Sequence, residues 1–436
     1  MLGRGNLIRL PSDLRSVTTI NRGGEVDATA TGLPVGAMTR IWRDIERVYR
    51  SRTMPAVSIA IRHRGQLLMD RAIGHAAGNA PEDAPDSPQV LCTPDTPICL
   101  FSAAKAVTAM LVHKLAEVGL IRLHDPVAEY IPEFGCRGKQ YITIGQVLAH
   151  RGGFPTFSGR AVGPELLFDW DACLARICDA WPAAGAGSVQ AYHAVTSGYI
   201  LGEVMRRVTG QELNTILRER IAAPLGARFL CYGLPARQRH LAAHNAFTGP
   251  REPFPFNLQV RRALGGSFAD VTALSNDSRF LAATIPAGNI YATAREVCDF
   301  YQCLLNGGDF AGKRLFRRGT VVRAVAEAAQ RQFDRTLLLP LRTSEGFMLG
   351  DAPFGLYGPR TEQAFGHLGF INIYGWADPA RELAVALLTT GKPLLAGHLL
   401  PLIGLLRRIN REFALQPRAQ GRSRGRAARE TATALR

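Results

Sequence analysis

Lysine is almost missing from this 436-residue chain: it occurs only at 105, 114, 139, 313 and 392, so nearly all of the 52 basic residues are arginines. The eight cysteines, at 92, 99, 136, 173, 178, 231, 298 and 303, include no CxxC, and none lies beside histidines at zinc-ligand spacing. That excludes a zinc ribbon and leaves no metal or other cofactor to expect. Thiols scattered this way behave as small buried hydrophobes, as in a reducing compartment. The amino terminus, MLGRGNLIRLPSDLRSV, lacks the apolar core of a secretory signal. The longest apolar stretch, Leu394 to Leu406, is interrupted by His398 and Pro401 and is too short to span a bilayer. A cytoplasmic protein is therefore expected, with peripheral membrane contact by that stretch as the lesser alternative.

Nor does the net charge of +16 come with an aromatic-interleaved basic motif or a helix-turn-helix pattern. Pro417 to Arg436 holds six arginines against one glutamate, and the rest of the excess is spread thinly. The pattern fits a solvated basic surface and a disordered basic tail rather than a specific nucleic-acid reader. Long-range attraction to acidic partners stays open, and nothing in the sequence marks an oligomeric state.

What is present is ample core material, 47 % apolar against 20 % charged. Met38, Ile41, Ile45 and Val48 keep helical spacing. Ala56 to Arg62 and Gln66 to Ile73, separated by His-Arg-Gly, read as a hairpin, and Gly74 to Asp95 as a loop. Helical blocks follow at 102–118, 142–149, 165–180, 195–208, 211–222 and 292–306. Strand character returns at Ala364 to Gly369, Ile371 to Ala377 and Leu383 to Thr389, before a last helix near Leu394 to Phe413. Strands at both ends with helices between predict an α/β fold, one antiparallel sheet flanked by helices with a mainly helical inserted region. The expected divisions are an extension over 1–36, a sheet region over 37–100 and 290–415, a helical region over 101–289 and the basic tail over 416–436.

Three short segments carry chemistry. Phe101-Ser102-Ala103-Ala104-Lys105 opens the first strong helix, where residues i and i+3 share a face, so the lysine amine can approach the serine hydroxyl. An alcohol needs a base to become a nucleophile, and a buried lysine of lowered pKa serves as one. Of fourteen serines only Ser102 has this partner, yet chance alone gives about one-sixth of such a match per chain. A capping serine followed by a surface lysine has the same spelling. The small neighbours Ala103, Ala104 and Ala106 favour a packed, buried turn. Tyr192, at a loop-to-helix junction, is a second candidate: beside a cationic lysine its phenol would ionise more easily and could shuttle a proton. Third, Gly366-His367-Leu368-Gly369-Phe370 reads as a strand whose glycines let a substrate lie alongside. There the N–H of Phe370, with that of Ser102, could form a two-donor oxyanion hole, and His367 could face the acyl group. Ser197, His150 and Lys392 read as packing, turn and loop residues; His193 could line the cleft or be solvated.

Their order resembles that of the serine β-lactamase and penicillin-binding-protein-like superfamily, nearest to class C β-lactamases and the related esterases and D-amino-acid peptidases. Leu120-Ile121-Arg122-Leu123-His124-Asp125-Pro126-Val127, Tyr130-Ile131-Pro132 and the run Ile142 to Gly153 are similar to the segments that follow that family's nucleophile helix, and the likeness extends from about residue 40 to 410. The resemblance implies a β-lactamase/transpeptidase-like fold, Ser102 as the acylated nucleophile, and Lys105 and Tyr192 as the proton-transfer pair. It also implies an oxyanion hole at the N–H groups of Ser102 and Phe370, beside His367 and Gly369. Two positions depart: Ala194 stands where lactamases usually carry Asn, and His367 where they carry Lys. Those groups grip the lactam amide and carboxylate, so their loss favours small uncharged carboxylic esters. A D-amino-acid peptidase or lactamase-type amide hydrolase, an acyltransferase and a non-catalytic scaffold are the rivals.

Overall fold

The first hairpin fixes the register of the sheet. Strands β2 (Ala56–His63) and β3 (Gln66–Ala77) meet at a turn whose Arg64 and Gly65 both have positive φ, 52° and 78°, as a tight two-residue turn of matching twist requires. In this computed structural model, which describes residues 6–158, 163–183, 185–254, 256–329, 331–370 and 372–415, β2 also pairs, from Val57 to His63, with the whole of β8 (Leu383–Thr389) near the other end of the chain. Outward from β8 lie β7 (Ile373–Asp378), β6 (Phe365–Gly369) and β5 (Met348–Leu349). On the other side β3 pairs with β1 (Thr18–Ile20) and with the short β4 (Val90–Leu91). Every pairing in this sheet is antiparallel, as expected.

Alternation along the strands sorts the two faces. Val57, Ile59 and Ile61 of β2, with Leu383, Val385 and Leu387 of β8, face α1 (Ala37–Arg50) and α5 (Leu399–Glu412). Each such side chain, fully buried, contributes about 1.5–3 kcal/mol. Arg40 clasps Glu412 through two bonds of 2.8 Å, and Arg408 reaches Asp44 at 3.0 Å, which tie the two helices together. On the opposite face the residues are small, among them Ala60, Ala384 and Ala386. There α4 (Ala294–Leu305) presses so close that a Cβ on Gly375 would lie 2.4 Å from the Tyr301 ring. Between sheet and helical region runs α2 (Ala104–Glu117), apolar nearly all round and correspondingly buried. Against it packs α3 (Thr196–Thr209).

Two expectations need correction. Residues 6–36 are not an extension outside the core: Ile8, Leu14 and Val17 are buried, and Thr18–Ile20 pairs with β3. Apolar residues spaced this sparsely show no period of their own. The loop expected from Gly74 begins later, because β3 continues to Ala77 through a left-handed Gly74 (φ 102°) packed on the Pro55 carbonyl. The apolar stretch at Leu394 to Leu406 places Leu402, Leu405 and Leu406 in the core and leaves Leu395, Leu400 and Ile403 exposed. Among the described residues no helix is long and apolar enough to cross a bilayer. All eight cysteines are free and six are buried. The basic tail expected over 416–436 lies outside the described residues.

Candidate active site

Ser102 sits in a single 3-10 turn, Phe101–Ala103, directly ahead of α2 rather than in the helix itself. Phe101 enters that turn with φ at 46°, a left-handed conformation that a bulky residue holds only when its surroundings enforce it. The end of β6 supplies the enforcement. Gly369 lies so tight against the turn that a Cβ there would be 2.0 Å from the Leu100 carbonyl oxygen, and the Phe370 ring stacks on Phe101 with centroids 5.0 Å apart. Phe370 has φ 39°, and Phe268 closes on it edge-first at 4.8 Å.

One turn after Ser102, Lys105, the second residue of α2, points back to the serine. Its Nζ donates to Ser102 Oγ at 3.1 Å, to the Ala194 carbonyl at 2.7 Å and to the Ala287 carbonyl at 2.8 Å. No carboxylate compensates its charge among these partners, and only 7 % of the residue is exposed. Desolvation therefore lowers its pKa to about 7, which leaves about half of the amines neutral at neutral pH.

Tyr192 stands beside this pair, with Lys105 Nζ 5.0 Å from its ring centroid. Its phenol is harder to ionise, not easier as the sequence suggested. Burial raises its pKa above the usual tyrosine value, a hydrogen bond with Ser102 partly offsets this, and the charge of Asp334 adds to the rise. Tyr192 is thus a protonated hydrogen-bond donor at neutral pH. His367 on β6 is buried rather than open to a substrate. Its Nδ1 hydrogen-bonds the Leu368 carbonyl at 2.7 Å, which makes that nitrogen the protonated one. Burial, then the Lys105 charge, lowers its pKa to about 3, and its ring lies 6.2 Å from that of Tyr192. The six residues singled out from the sequence, Ser102, Lys105, Tyr192, His367, Gly369 and Phe370, thus gather in one place.

A model of the Beta-lactamase family matches residues 41–403. The chain belongs to that family. It is 30 % identical over 400 residues, 87 % of each chain, to the esterase/β-lactamase LipL of Mycobacterium tuberculosis. Among solved structures, it resembles a penicillin-binding-protein homologue from Caulobacter crescentus at 28 % identity and a TM-score of 0.74, covering 87 % of this chain and 98 % of the other. A family VIII carboxylesterase matches at 27 % and 0.73, covering 86 % and 98 %. The protein is a β-lactamase-related serine hydrolase on the β-lactamase/transpeptidase-like fold.

Support for Tyr192 in this β-lactamase-family hydrolase comes from residues the sequence did not single out for it. The N–H groups of Ala191, Tyr192 and His193 are received in turn by the His150 carbonyl at 3.0 Å, Asp334 Oδ1 at 3.1 Å and His150 Nδ1 at 3.2 Å. Asp334 Oδ1 also accepts from the N–H groups of Thr336 and Leu337, both at 2.9 Å, an Asx turn that fixes the carboxylate. The spelling Asp334-Arg335-Thr336 signals such a turn, but nothing in it points 142 residues back to Tyr192. His150 was expected to be a turn residue, and its φ of 59° makes it one; it also packs its ring 4.5 Å from that of Tyr192. His193 is fully buried, accepting the Phe154 N–H at 3.1 Å, so it lines no cleft. Ser197 donates to the His193 carbonyl at 3.2 Å, a packing role as expected. Lys392 follows the last strand as a loop residue, yet it is buried 4.9 Å above the Phe101 ring and donates to the Thr389 carbonyl at 2.6 Å. It supports the residue preceding the nucleophile.

Proposed function

We propose that this hydrolase cleaves small carboxylic esters through a Ser102 acyl-enzyme. The observation that carries the reading is the contact between Lys105 Nζ and Ser102 Oγ, 3.1 Å, made by an amine whose pKa burial lowers to about 7. Neutral Lys105 takes the Ser102 proton as Oγ attacks the ester carbonyl carbon. The negative charge that develops on the carbonyl oxygen is received by the N–H groups of Ser102 and Phe370. Collapse of the tetrahedral adduct breaks the C–O bond, and Tyr192 passes a proton to the departing alcohol, regaining one from the Lys105 ammonium. Water then attacks the acyl-enzyme with the same groups acting in reverse, releasing the acid and free Ser102. No cofactor enters these steps.

Ester rather than lactam is supported by the two departures from lactamase spelling. Ala194 contributes only its carbonyl, which Lys105 occupies. His367 is neutral and buried, so it offers no cation to a substrate carboxylate. The relatives whose names include esterase activity point the same way. A panel of p-nitrophenyl esters, D-amino-acid amides and a chromogenic cephalosporin tests the proposal: turnover of the esters, lost in Ser102→Ala, is expected. Turnover confined to the amides or the lactam would replace it.

A further inference from the structure

We infer that this protein docks with its catalytic cleft facing an anionic lipid surface and takes ester substrate from it, an inference that rests on the ester-hydrolase reading above. Four partly buried leucines, Leu264, Leu337, Leu356 and Leu368, pack against the group formed by Tyr192, Ala194 and Met348. Three of them stand on separate segments, and each of those segments also carries large apolar side chains turned to solvent. The helix Phe256–Leu264 ends in Leu264 but exposes Leu258. The hairpin of Gln332–Asp334 and Leu339–Leu341 holds Leu337 inward and leaves Phe333 58 % and Leu338 49 % exposed. The hairpin of Phe354–Gly355 and Gly358–Pro359 holds Leu356 inward and leaves Phe354 63 % exposed.

An isolated exposed leucine is ordinary on any protein surface. Three segments that each anchor on the Tyr192 cluster and each expose apolar groups, the Phe354 ring with the Arg407 guanidinium 5.5 Å from its centroid, make up a collar that calls for an apolar partner. Charge selects which one. Arg335 and Arg360 are exposed on these same segments. The chain as a whole is +16, with a net five of those charges after residue 416. Protruding apolar side chains interspersed with arginines match the acyl chains and phosphates of an anionic bilayer. Docked this way, an ester dissolved in the lipid reaches Ser102 without first being taken up by water.

Flotation of the full chain carrying Ser102→Ala with vesicles of phosphatidylglycerol and phosphatidylcholine, against pure phosphatidylcholine, reads docking without turnover. Binding to the anionic vesicles is expected, weakened at least about tenfold in the added triple variant Phe333→Ser, Leu338→Ser, Phe354→Ser. In the Ser102 background that triple variant should hydrolyse p-nitrophenyl acetate in free solution as the native protein does, which shows that it folds. Absence of binding to anionic vesicles would overturn docking and leave the collar to a protein partner. Equal binding by the triple variant would place the contact on the basic tail and overturn the cleft-facing geometry. Vesicle binding without any ester turnover would instead refute the ester-hydrolase reading.

Discussion

If Lys105 is the base, the acylation rate must follow its deprotonation. With a pKa of about 7, about one amine in eleven is neutral at pH 6, half at pH 7 and ten in eleven at pH 8. An unperturbed lysine at pH 7 would be neutral in only about three molecules per ten thousand. The rate constant for p-nitrophenol release in the first turnover should therefore rise about tenfold between pH 6 and pH 8 and then level off. Tyr192 adds no second rise, because its pKa lies above the ordinary tyrosine value. Stopped-flow bursts with p-nitrophenyl acetate measure this directly. The same experiment on Lys105→Arg, whose guanidinium stays charged at every accessible pH, should lose about 10²- to 10⁴-fold in acylation, the usual weight of a general base. A rate that is flat from pH 6 to 8, or that keeps climbing log-linearly past pH 9, would refute the assignment of the base.

Stability should report the same amine. Its folded pKa, about 7, lies below the unfolded value of 10.5. The buried ammonium is thus a full penalty below pH 7, and it is relieved as pH rises from 7 towards 10.5 because the unfolded chain then holds the extra proton. The stability of Lys105→Met relative to the native chain should therefore decline by about 2.7 kcal/mol between pH 7.5 and 9.5, measured by urea unfolding; a pH-independent difference would mean that the amine stays charged. Asp334→Ala strips the Tyr192 N–H of its acceptor and should cost about 1–3 kcal/mol, while Asp334→Asn, which keeps an oxygen in place, should cost less; equal losses would assign the effect to charge. Gly369→Ala forces a side chain against the Leu100 carbonyl, so kcat/KM should fall about 100-fold as β6 retreats from the nucleophile turn; unchanged activity would mean that the turn does not depend on that contact.

Much of this was written locally. The hairpin over 56–73, the stripe of α1 and the strand Leu383–Thr389 were legible because period and turn chemistry agree within a few residues. Ser102 and Lys105 were legible because a three-residue spacing on a helix is itself a geometric statement. The edge strand Thr18–Ile20 was not, since three residues carry no measurable period and its place depends on β3. The Asp334–Tyr192 link was invisible because it joins a strand end to a loop 142 residues away through a main-chain group. The rise in the Tyr192 pKa was missed for a related reason. Spacing suggested a neighbouring cation, but burial, which only the assembled fold reveals, is the larger influence. His367 misled in the same way: its place on the strand was readable, whereas its burial against Lys105 was not.

The central claim is that one hydroxyl, Ser102 Oγ, becomes covalently acylated with the help of Lys105. Intact-mass analysis of the protein quenched during turnover of a slow p-nitrophenyl ester, followed by peptide mapping, measures it. A single acyl adduct on the peptide containing Ser102, absent in Ser102→Ala and strongly diminished in Lys105→Arg, is the predicted result. An adduct on another residue, or one that forms equally in Ser102→Ala, would contradict the account.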